Sequence, residues 1–318
     1  MEKIIIATEK KYSKEFLVWI SHIKKILFDK NYTVEILWIE KKDFEDREKL
    51  KNKILNKKPF VVFNLFEGFL DDPLKEVDFA TILEELKIPF TGNSSLVLDI
   101  CLNKEKAKNL LKEKGLNVPK GIYIKELGDI SLDGLNFPLF VKPCFRDASE
   151  GIDEDSLVNN NEELYRVLEK KIEKFPHGFL IEEFIGGREF SVGFLGFFPY
   201  ELLGVSVLDY SLFKNLVPFL TYKAKWNKSS LEYKTLTPSL YTTDDDLRRK
   251  IIDIAQNAAK VIGCKGYFRV DLREKEEDIY VIEVNPNPDI TLESGFVRQA
   301  FSRGYKYEDL ISKIISLV

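Results

Sequence analysis

The first hundred residues alternate between short apolar segments and amphipathic segments. Apolar runs typical of buried strands occupy residues 3–7, Thr33–Ile39 and 60–65, and residues 15–28 and 74–86 show the spacing of helices with one apolar face. This alternation predicts a small parallel sheet covered by helices. A ligand site is then expected at the carboxyl ends of the strands.

The rest of the chain has a different pattern. Helices are predicted at 104–114, 162–173 and 244–262, and strands at 122–124, 139–142, 179–184, 189–197 and 202–208, followed by two strands joined by a charged turn at 274–278. A segment without regular pattern, 209–236, is long enough to suggest a functional loop. We therefore predict an α/β domain over 1–97 and two α+β lobes over 98–187 and 188–318.

Charge and composition exclude several classes of function. The chain has 318 residues and a formal net charge of −4, which gives no sign of nucleic-acid binding. It has three widely spaced cysteines and only two histidines, His22 and His177, so a disulfide framework, a zinc cluster and Ser-His-Asp chemistry are all disfavoured. The start of the chain does not resemble a signal peptide, and no uncharged stretch is long enough for a membrane span. We expect a cytoplasmic protein, with no membrane or nucleic-acid partner.

Two segments near the carboxyl end carry the strongest chemical pattern. Arg269 and Asp271 share one face of a predicted strand, and Glu283 and Asn285 share one face of the next. A hairpin would bring the four together. Two carboxylates and an amide oxygen suit Mg²⁺ that also binds substrate phosphates. The alternative to a metal site is a structural antiparallel hairpin whose polar face is simply exposed to solvent.

Two further segments are compatible with a nucleotide. Lys142 ends an apolar strand just before a loop containing Ser149, and an ammonium, backbone N–H groups and a hydroxyl can together hold phosphates. In the segment from Glu182 to Glu189, Phe184 and Ile185 can contact a purine and Glu189 ribose hydroxyls. Each segment also has a purely structural alternative. Lys142 can be a surface lysine before a turn, and the segment from Glu182 to Glu189 can be two strands joined by a Gly-Gly turn.

The order of motifs resembles the ATP-grasp superfamily, and within it the D-alanine–D-alanine ligases and related carboxylate–amine ligases. The motifs in chain order are LFEGF, IPFTG, NKEKAK, FVKP, DASEGI, LIEEFIGGREF, YKAKW, GCKGYFRVDL and YVIEVNPNPDITLES. The resemblance covers essentially the whole chain. It implies an N-terminal Rossmann-like pre-ATP-grasp lobe and two ATP-grasp lobes that hold ATP between them.

The resemblance also implies roles for individual residues. The matches to ATP-contacting positions are Lys104, Lys142, Ser149, Glu182, Phe184, Ile185 and Glu189. Lys225 matches the phosphate-binding lysine of a mobile loop, and Arg269 the arginine that stabilises the reacting centre. The matches to ligands of Mg²⁺ (or Mn²⁺) are Asp271, Glu283 and Asn285.

The implied reaction joins a carboxylate to an amine through an acyl phosphate, at the expense of ATP. This chemistry needs positioning and charge neutralisation, which lysines, an arginine and Mg²⁺ supply without histidine. The implied partners are small amino acids or peptides, and the family resemblance suggests a homodimer. Two other readings stay open: a nucleotide-binding protein with a degenerate substrate site, and a ligase acting on a carrier protein or larger scaffold.

Several substrate-side positions depart from the D-alanine–D-alanine ligases. Ala148 replaces a serine of the substrate-orienting network, Trp226 a tyrosine, Glu67 a histidine and Asp289 a glycine, whereas Ser294 matches the serine that holds the second substrate's carboxylate. We therefore expect the ATP chemistry to be retained and the substrate to differ from D-alanine, with a preference for an additional amine or a larger side chain.

Overall fold

Three sheets organise the chain. The computed structural model describes residues 2–11 and 13–318. The strands are β1 Lys3–Glu9, β2 Thr33–Ile39, β3 Val61–Asn64, β4 Gly121–Ile124, β5 Leu139–Pro143, β6 Leu157–Val158, β7 Phe179–Glu183, β8 Glu189–Gly196, β9 Glu201–Leu208, β10 Ser239–Leu240, β11 Gly266–Lys275 and β12 Asp278–Asn285. The α-helices are α1 Lys14–Asp29, α2 Arg47–Leu55, α3 Lys75–Glu85, α4 Ser95–Leu102, α5 Lys104–Glu113, α6 Asn161–Lys171, α7 Tyr222–Trp226, α8 Leu231–Thr235, α9 Asp246–Ile262, α10 Gly295–Ser302 and α11 Tyr307–Ser316.

The first sheet is parallel, in the order β2–β1–β3. Side chains of β1 alternate between two cores: Ile4 and Ile6 pack with α1 and α11, and Ile5 and Ala7 pack with α2 and α3. Burial on both faces explains why β1 is a continuous apolar run. The carboxyl end of β3 leads directly into the loop that contains Glu67.

The other two sheets are antiparallel. The central one has the order β4–β7–β5–β6 and packs on α6 in a core of its own. The C-terminal one has the order β10–β9–β8–β11–β12. One of its faces packs on α4, α5 and α9. Its other face shares a core with α10, α11 and the first sheet.

The structure confirms the mixed α/β and α+β class and each of the predicted helices and strands, within a few residues of their bounds. The sequence analysis did not predict α2, α4, α10, α11 or the two-residue strands. Residues 209–236 contain the short helices α7 and α8 instead of being irregular throughout. They pack around a small core of Leu208, Tyr210, Ala224 and Leu236.

Asn93 fastens the first sheet to the C-terminal one. Its side chain is fully buried, and its Oδ1 accepts a hydrogen bond of 2.8 Å from the N–H of Lys265. Its own backbone N–H donates to Oδ1 of Asn287 at 3.0 Å. The preceding residue, Gly92, has φ of +91°, and a Cβ there would collide with the same Asn287 side chain.

We expect Gly92→Ala to lower the free energy of unfolding by clearly more than Gly115→Ala. Both glycines have positive φ, at +91° and +81°, but a Cβ on Gly115 meets open space. The left-handed backbone alone costs alanine about 1–2 kcal/mol. At Gly92 the displaced Asn287 also loses its hydrogen bond to Asn93. Urea denaturation of the two variants measures the difference, and equal losses would contradict it.

Candidate active site

The β11–β12 hairpin places four polar side chains on one face. The strand register pairs Asp271 with Glu283 and Arg269 with Asn285. Arg269 donates to both oxygens of Asp271, from Nε at 2.7 Å and from Nη2 at 2.6 Å, and Asn285 Nδ2 donates to Asp271 Oδ2 at 2.9 Å. Burial opposes the positive charge of Arg269, but the neighbouring Asp271 raises its pKa above the usual value. The guanidinium therefore stays charged in this cleft.

Glu283 lies among cations. Lys104, which begins α5 and is 7% exposed, donates to Oε1 of Glu283 and to Oδ1 of Asp147, the latter at 2.9 Å. Burial by itself would raise the pKa of Glu283, but Lys104, Lys142 and Lys225 lower it to about 2. Three of the predicted ATP-side lysines thus surround one of the predicted metal ligands.

Two buried lysines share the carboxylate of Glu182. Lys142 Nζ lies 2.7 Å from Oε1, and Lys108 Nζ lies 2.6 Å from Oε2. Burial tends to raise the pKa of Glu182, but the two lysines hold it below its usual range. The pKa of Lys108 is lowered, mainly by burial and in addition by the positive charge of Lys142. Two lysines and one carboxylate together carry a net charge of +1. An anion such as a phosphate group would balance it.

Next to these charges the cleft has an aromatic wall. The Phe140 ring centroid lies 4.9 Å from that of Phe219 and 6.0 Å from that of Phe184. The buried side chain of Ile185 also lines the cleft, which encloses roughly 770 Å³ of space open to solvent. Flat apolar surfaces beside buried lysines suit a purine nucleotide with its phosphates.

The segment 209–236 closes one side of this cleft. Trp226 Nε1 donates to the carbonyl of Ala148 at 3.0 Å, and Ser149 Oγ donates to the carbonyl of Leu220 at 3.0 Å. Ala148 and Ser149 have φ of 53° and 62°, a conformation that non-glycine residues rarely adopt. Such strain is concentrated at functional loops. Lys225 lines the cleft beside Glu283.

The predicted substrate residues lie elsewhere. Glu67 and Asp289 line a second, smaller pocket with Trp19 and Tyr267, and both are exposed. Asp289 accepts hydrogen bonds of 2.8 Å from the N–H and hydroxyl of Thr291.

Ser294 lines neither cavity. It is the N-cap of α10 and accepts a hydrogen bond of 3.2 Å from the N–H of Val297. Its hydroxyl is therefore used locally, at a helix N-terminus that favours negative charge.

The protein atoms around the small pocket shield the Glu67 carboxylate from part of its water and raise its pKa to about 7, although the residue as a whole stays open to solvent; the charge of Lys11 opposes the increase. Asp289, Asp147 and Glu9 add to the increase. In the described ranges 2–11 and 13–318, Glu67 forms no ion pair within 4.0 Å. Its charge is open to a ligand.

Several residues in or directly behind the cleft were not among the predicted site residues. Lys108 lies one helical turn after Lys104, and Arg273 lies two residues after Asp271 on the same strand face, so periodicity would have found both. Phe140 lies within the predicted strand 139–142, and strand alternation places it on the face opposite Val141. Phe219 carried no signal in the sequence. Glu76 lies outside this cleft, where its Oε1 accepts a hydrogen bond of 3.3 Å from Asn287, and burial raises its pKa well above the usual value.

Comparison with known proteins agrees with this arrangement. The family described as "D-ala D-ala ligase C-terminus" matches residues 110–316. The uncharacterized protein y4sG of Sinorhizobium fredii is 30% identical over 258 residues, 81% of this chain and 74% of that protein. D-alanine–D-alanine ligase A of Bacillus cereus is 28% identical over 279 residues, 82% of this chain and 87% of that enzyme.

Solved structures show the same fold. The D-alanine–D-alanine ligase of Bacillus anthracis complexed with ATP superposes with a TM-score of 0.76 at 22% identity, covering 100% of this chain and 97% of that one. The VanG D-Ala:D-Ser ligase of Enterococcus faecalis gives 0.73 at 20% identity, covering 100% and 99%. These matches confirm the predicted ATP-grasp fold.

The match to the family covers well over half of the chain, in the part that contains the nucleotide-type cleft and the β11–β12 hairpin. It confirms the prediction of an ATP-dependent carbon–nitrogen ligase. The chain belongs to the D-alanine–D-alanine ligase family.

Proposed function

We propose that the protein uses ATP to join an amino acid or small peptide, activated as its acyl phosphate, to the amine of a second amino acid. The observation that carries the proposal is the position of four cations at the aromatic cleft: Lys104, Lys142 and Lys225 line the same cavity as Glu283, and Arg269 is paired with Asp271. Such a cluster stabilises the charge that develops during phosphoryl transfer.

The proposed reaction has two steps. A carboxylate oxygen of the first substrate attacks the γ-phosphorus of ATP, and ADP leaves. The amine nitrogen of the second substrate then attacks the acyl carbon, which releases phosphate. Lys142 and Lys225 are assigned to the phosphates, and Arg269 to the oxygen of the reacting acyl group.

Asp271, Glu283 and Asn285 are proposed to hold Mg²⁺. Asp271 and Glu283 face each other across the hairpin, and Asn285 lies within hydrogen-bond distance of Asp271, so two carboxylates and an amide converge. Within 2–11 and 13–318 no three His, Cys, Asp or Glu side chains form a metal cage. So few protein ligands fit an ion that is also bound by substrate phosphates. When bound, Mg²⁺ would neutralise phosphate oxygens.

We expect Asp271→Asn and Glu283→Gln each to reduce ATP turnover by at least ~100-fold, because each removes a ligand charge from a site with few ligands. Asp278→Asn at the exposed start of β12, in the same hairpin, is the matched control. Phosphate release with Mg²⁺, with Mn²⁺ and with a chelator measures the effect. Normal turnover by folded Glu283→Gln protein would contradict the metal assignment.

Residues 209–236 are proposed to act as a lid that excludes water from the acyl phosphate. They have their own small core, and Phe219 and Lys225 of this segment line the cleft. A segment with its own core can move as a unit. The lobes 1–97, 98–187 and 188–318 remain our proposal for the larger units.

Hydrogen exchange in 209–236 should slow when a nonhydrolysable ATP analogue and Mg²⁺ are added, because Lys225 then contacts the phosphates. Helix α6 packs in the separate core of the central sheet and serves as the internal reference. Unchanged exchange across the lid, with the analogue bound, would rule out lid closure.

The substrate is proposed to carry an additional amine or to be larger than alanine. Within residues 2–11 and 13–318 Glu67 has no ion pair within 4.0 Å, and it lines a pocket together with Trp19 and Tyr267, a combination of carboxylate and aromatic rings that favours a cation. Asp289 contributes its charge but its oxygens bond Thr291. Ala148 and Trp226 lack the hydroxyls of the family's orienting network, which weakens selection for D-alanine.

D-Alanine is expected to give a lower kcat/KM than basic or larger amino acids in a panel of D- and L-amino acid pairs. Phosphate release measures turnover of ATP, and peptide formation shows which two amino acids are joined. If D-alanine gives the highest kcat/KM, the proposed substrate preference is wrong and the protein uses the family's usual substrate. Nucleotide binding without turnover of any pair would favour the alternative of a binding protein.

Glu67→Gln tests the origin of that preference. Because the pKa of Glu67 is about 7, its carboxylate forms as the pH rises through 7, and kcat/KM for a cationic substrate should rise over the same interval. The pH dependence should disappear in Glu67→Gln, and the preference for the cation should fall.

Two further predictions stay as proposals: a homodimer, from the family resemblance, and a cytoplasmic location, from the absence of signal-peptide and membrane-span patterns in the sequence. A homodimer is testable by sedimentation of the purified chain. The cytoplasmic location is testable by fractionation. Within the described residues, no helix has the length and apolar character needed to cross a bilayer.

A further inference from the structure

Arg273 is a buried cation in the nucleotide-type cleft without a role in the proposed chemistry. It lies on β11 two residues beyond Asp271 and is 5% exposed. The register places it directly opposite Glu189 on β8. Its Nε lies 3.6 Å from Oε2 of Glu189 and has no hydrogen-bond acceptor within the described residues.

One guanidinium connects segments that are far apart in sequence. Nη1 donates to the carbonyl of Ile185 at 2.9 Å, and Nη2 donates to the carbonyl of Pro218 in the lid. The carbon Cζ lies 4.9 Å from the Phe184 ring and 5.0 Å from the Tyr210 ring. The planar group is therefore held between an aromatic ring of the cleft wall and one of the lid.

Tyr210 completes the connection to Glu189. Its hydroxyl donates to Oε2 of Glu189 at 2.8 Å. The carboxylate is 25% exposed and lines the cleft, so a ligand can reach it. Its position is fixed by one group from the lid and by the charge of Arg273.

We infer that Arg273 is a positioning residue that makes ribose recognition by Glu189 and docking of the lid a single event. The inference rests on the proposed ATP site. Loss of the guanidinium frees the lid at Pro218 and Tyr210 and at the same time removes the charge that orients Glu189. A lysine retains the charge but not the planar group that donates to two carbonyls and stacks between two rings.

The test measures binding of ATP, 2′-deoxy-ATP and 3′-deoxy-ATP with Mg²⁺ in the full chain, and hydrogen exchange of 209–236. The variants are Arg273→Met and Arg273→Lys. Arg188→Met is the matched control, because Arg188, directly before β8, also pairs with a carboxylate, Glu274, and lies close to two rings, Phe190 and Tyr241.

The wild-type chain should bind ATP more tightly than the deoxy nucleotides. In Arg273→Met we expect ATP binding to weaken by about tenfold or more, the typical effect of one lost charge-assisted contact. The deoxy nucleotides should lose less, so that the discrimination falls towards one, and the lid should exchange faster with and without nucleotide. Arg273→Lys should keep part of the discrimination but lose the lid protection. Arg188→Met should behave as wild type in both measurements.

Unchanged discrimination and unchanged lid exchange in either Arg273 variant would overturn the inference. The same holds if Arg188→Met reproduces the losses of Arg273→Met, because the effect would then be general destabilisation. Absence of ligase activity does not affect these binding measurements. Failure of the wild-type chain to bind nucleotide would instead remove the proposed function together with the inference.

Discussion

Every buried cation of the cleft requires a counter-charge, and this requirement holds the central sheet beside the β11–β12 hairpin. Lys108 and Lys142 come from different parts of the chain and meet at Glu182, whereas Lys104 binds Asp147 of the central lobe and Glu283 of the C-terminal hairpin. A buried charge without a partner costs several kcal/mol. Separating the central sheet from the hairpin would therefore break ion pairs as well as apolar contacts, unless a ligand supplies the missing charges.

Local periodicity was sufficient for most of the fold. The alternating pattern of the first hundred residues predicted β1–β3, α1 and α3 because each buries a regular face. Helix α2 buries only Leu50 and Ile54 and is otherwise polar apart from the exposed Leu55, and α4 is apolar on most of its surface, so neither has the amphipathic pattern on which the prediction relied. The strands β6 and β10 have two residues each and are defined by their partners, which no local pattern shows.

The site residues that share a strand face could be predicted from strand alternation. Those that reach the site through the path of a loop could not. Asp271 and Glu283 were placed correctly relative to each other by period and hairpin alone. Phe219 reaches the cleft only because residues 209–236 fold back along one side of it. Glu67 and Asp289 had the same predicted role, as substrate-side carboxylates. In the structure Asp289 accepts a hydrogen bond from Thr291, whereas Glu67 has no ion pair within 2–11 and 13–318. This difference arises from the turn after β12 and could not be read from residue types.

The shared core beneath the first and C-terminal sheets has a consequence for how specificity can diversify. Ile4 and Ile20 near the start of the chain pack in one cluster with Phe296 and Leu310 near its end, while the central sheet keeps a separate core. The N-terminal part cannot be exchanged for that of another ligase as an independent module, because the exchange would expose or overpack this common interior. New substrates in such a scaffold would be reached by changing loop residues around an unchanged interior, and Glu67 and Ala148 both lie on such loops.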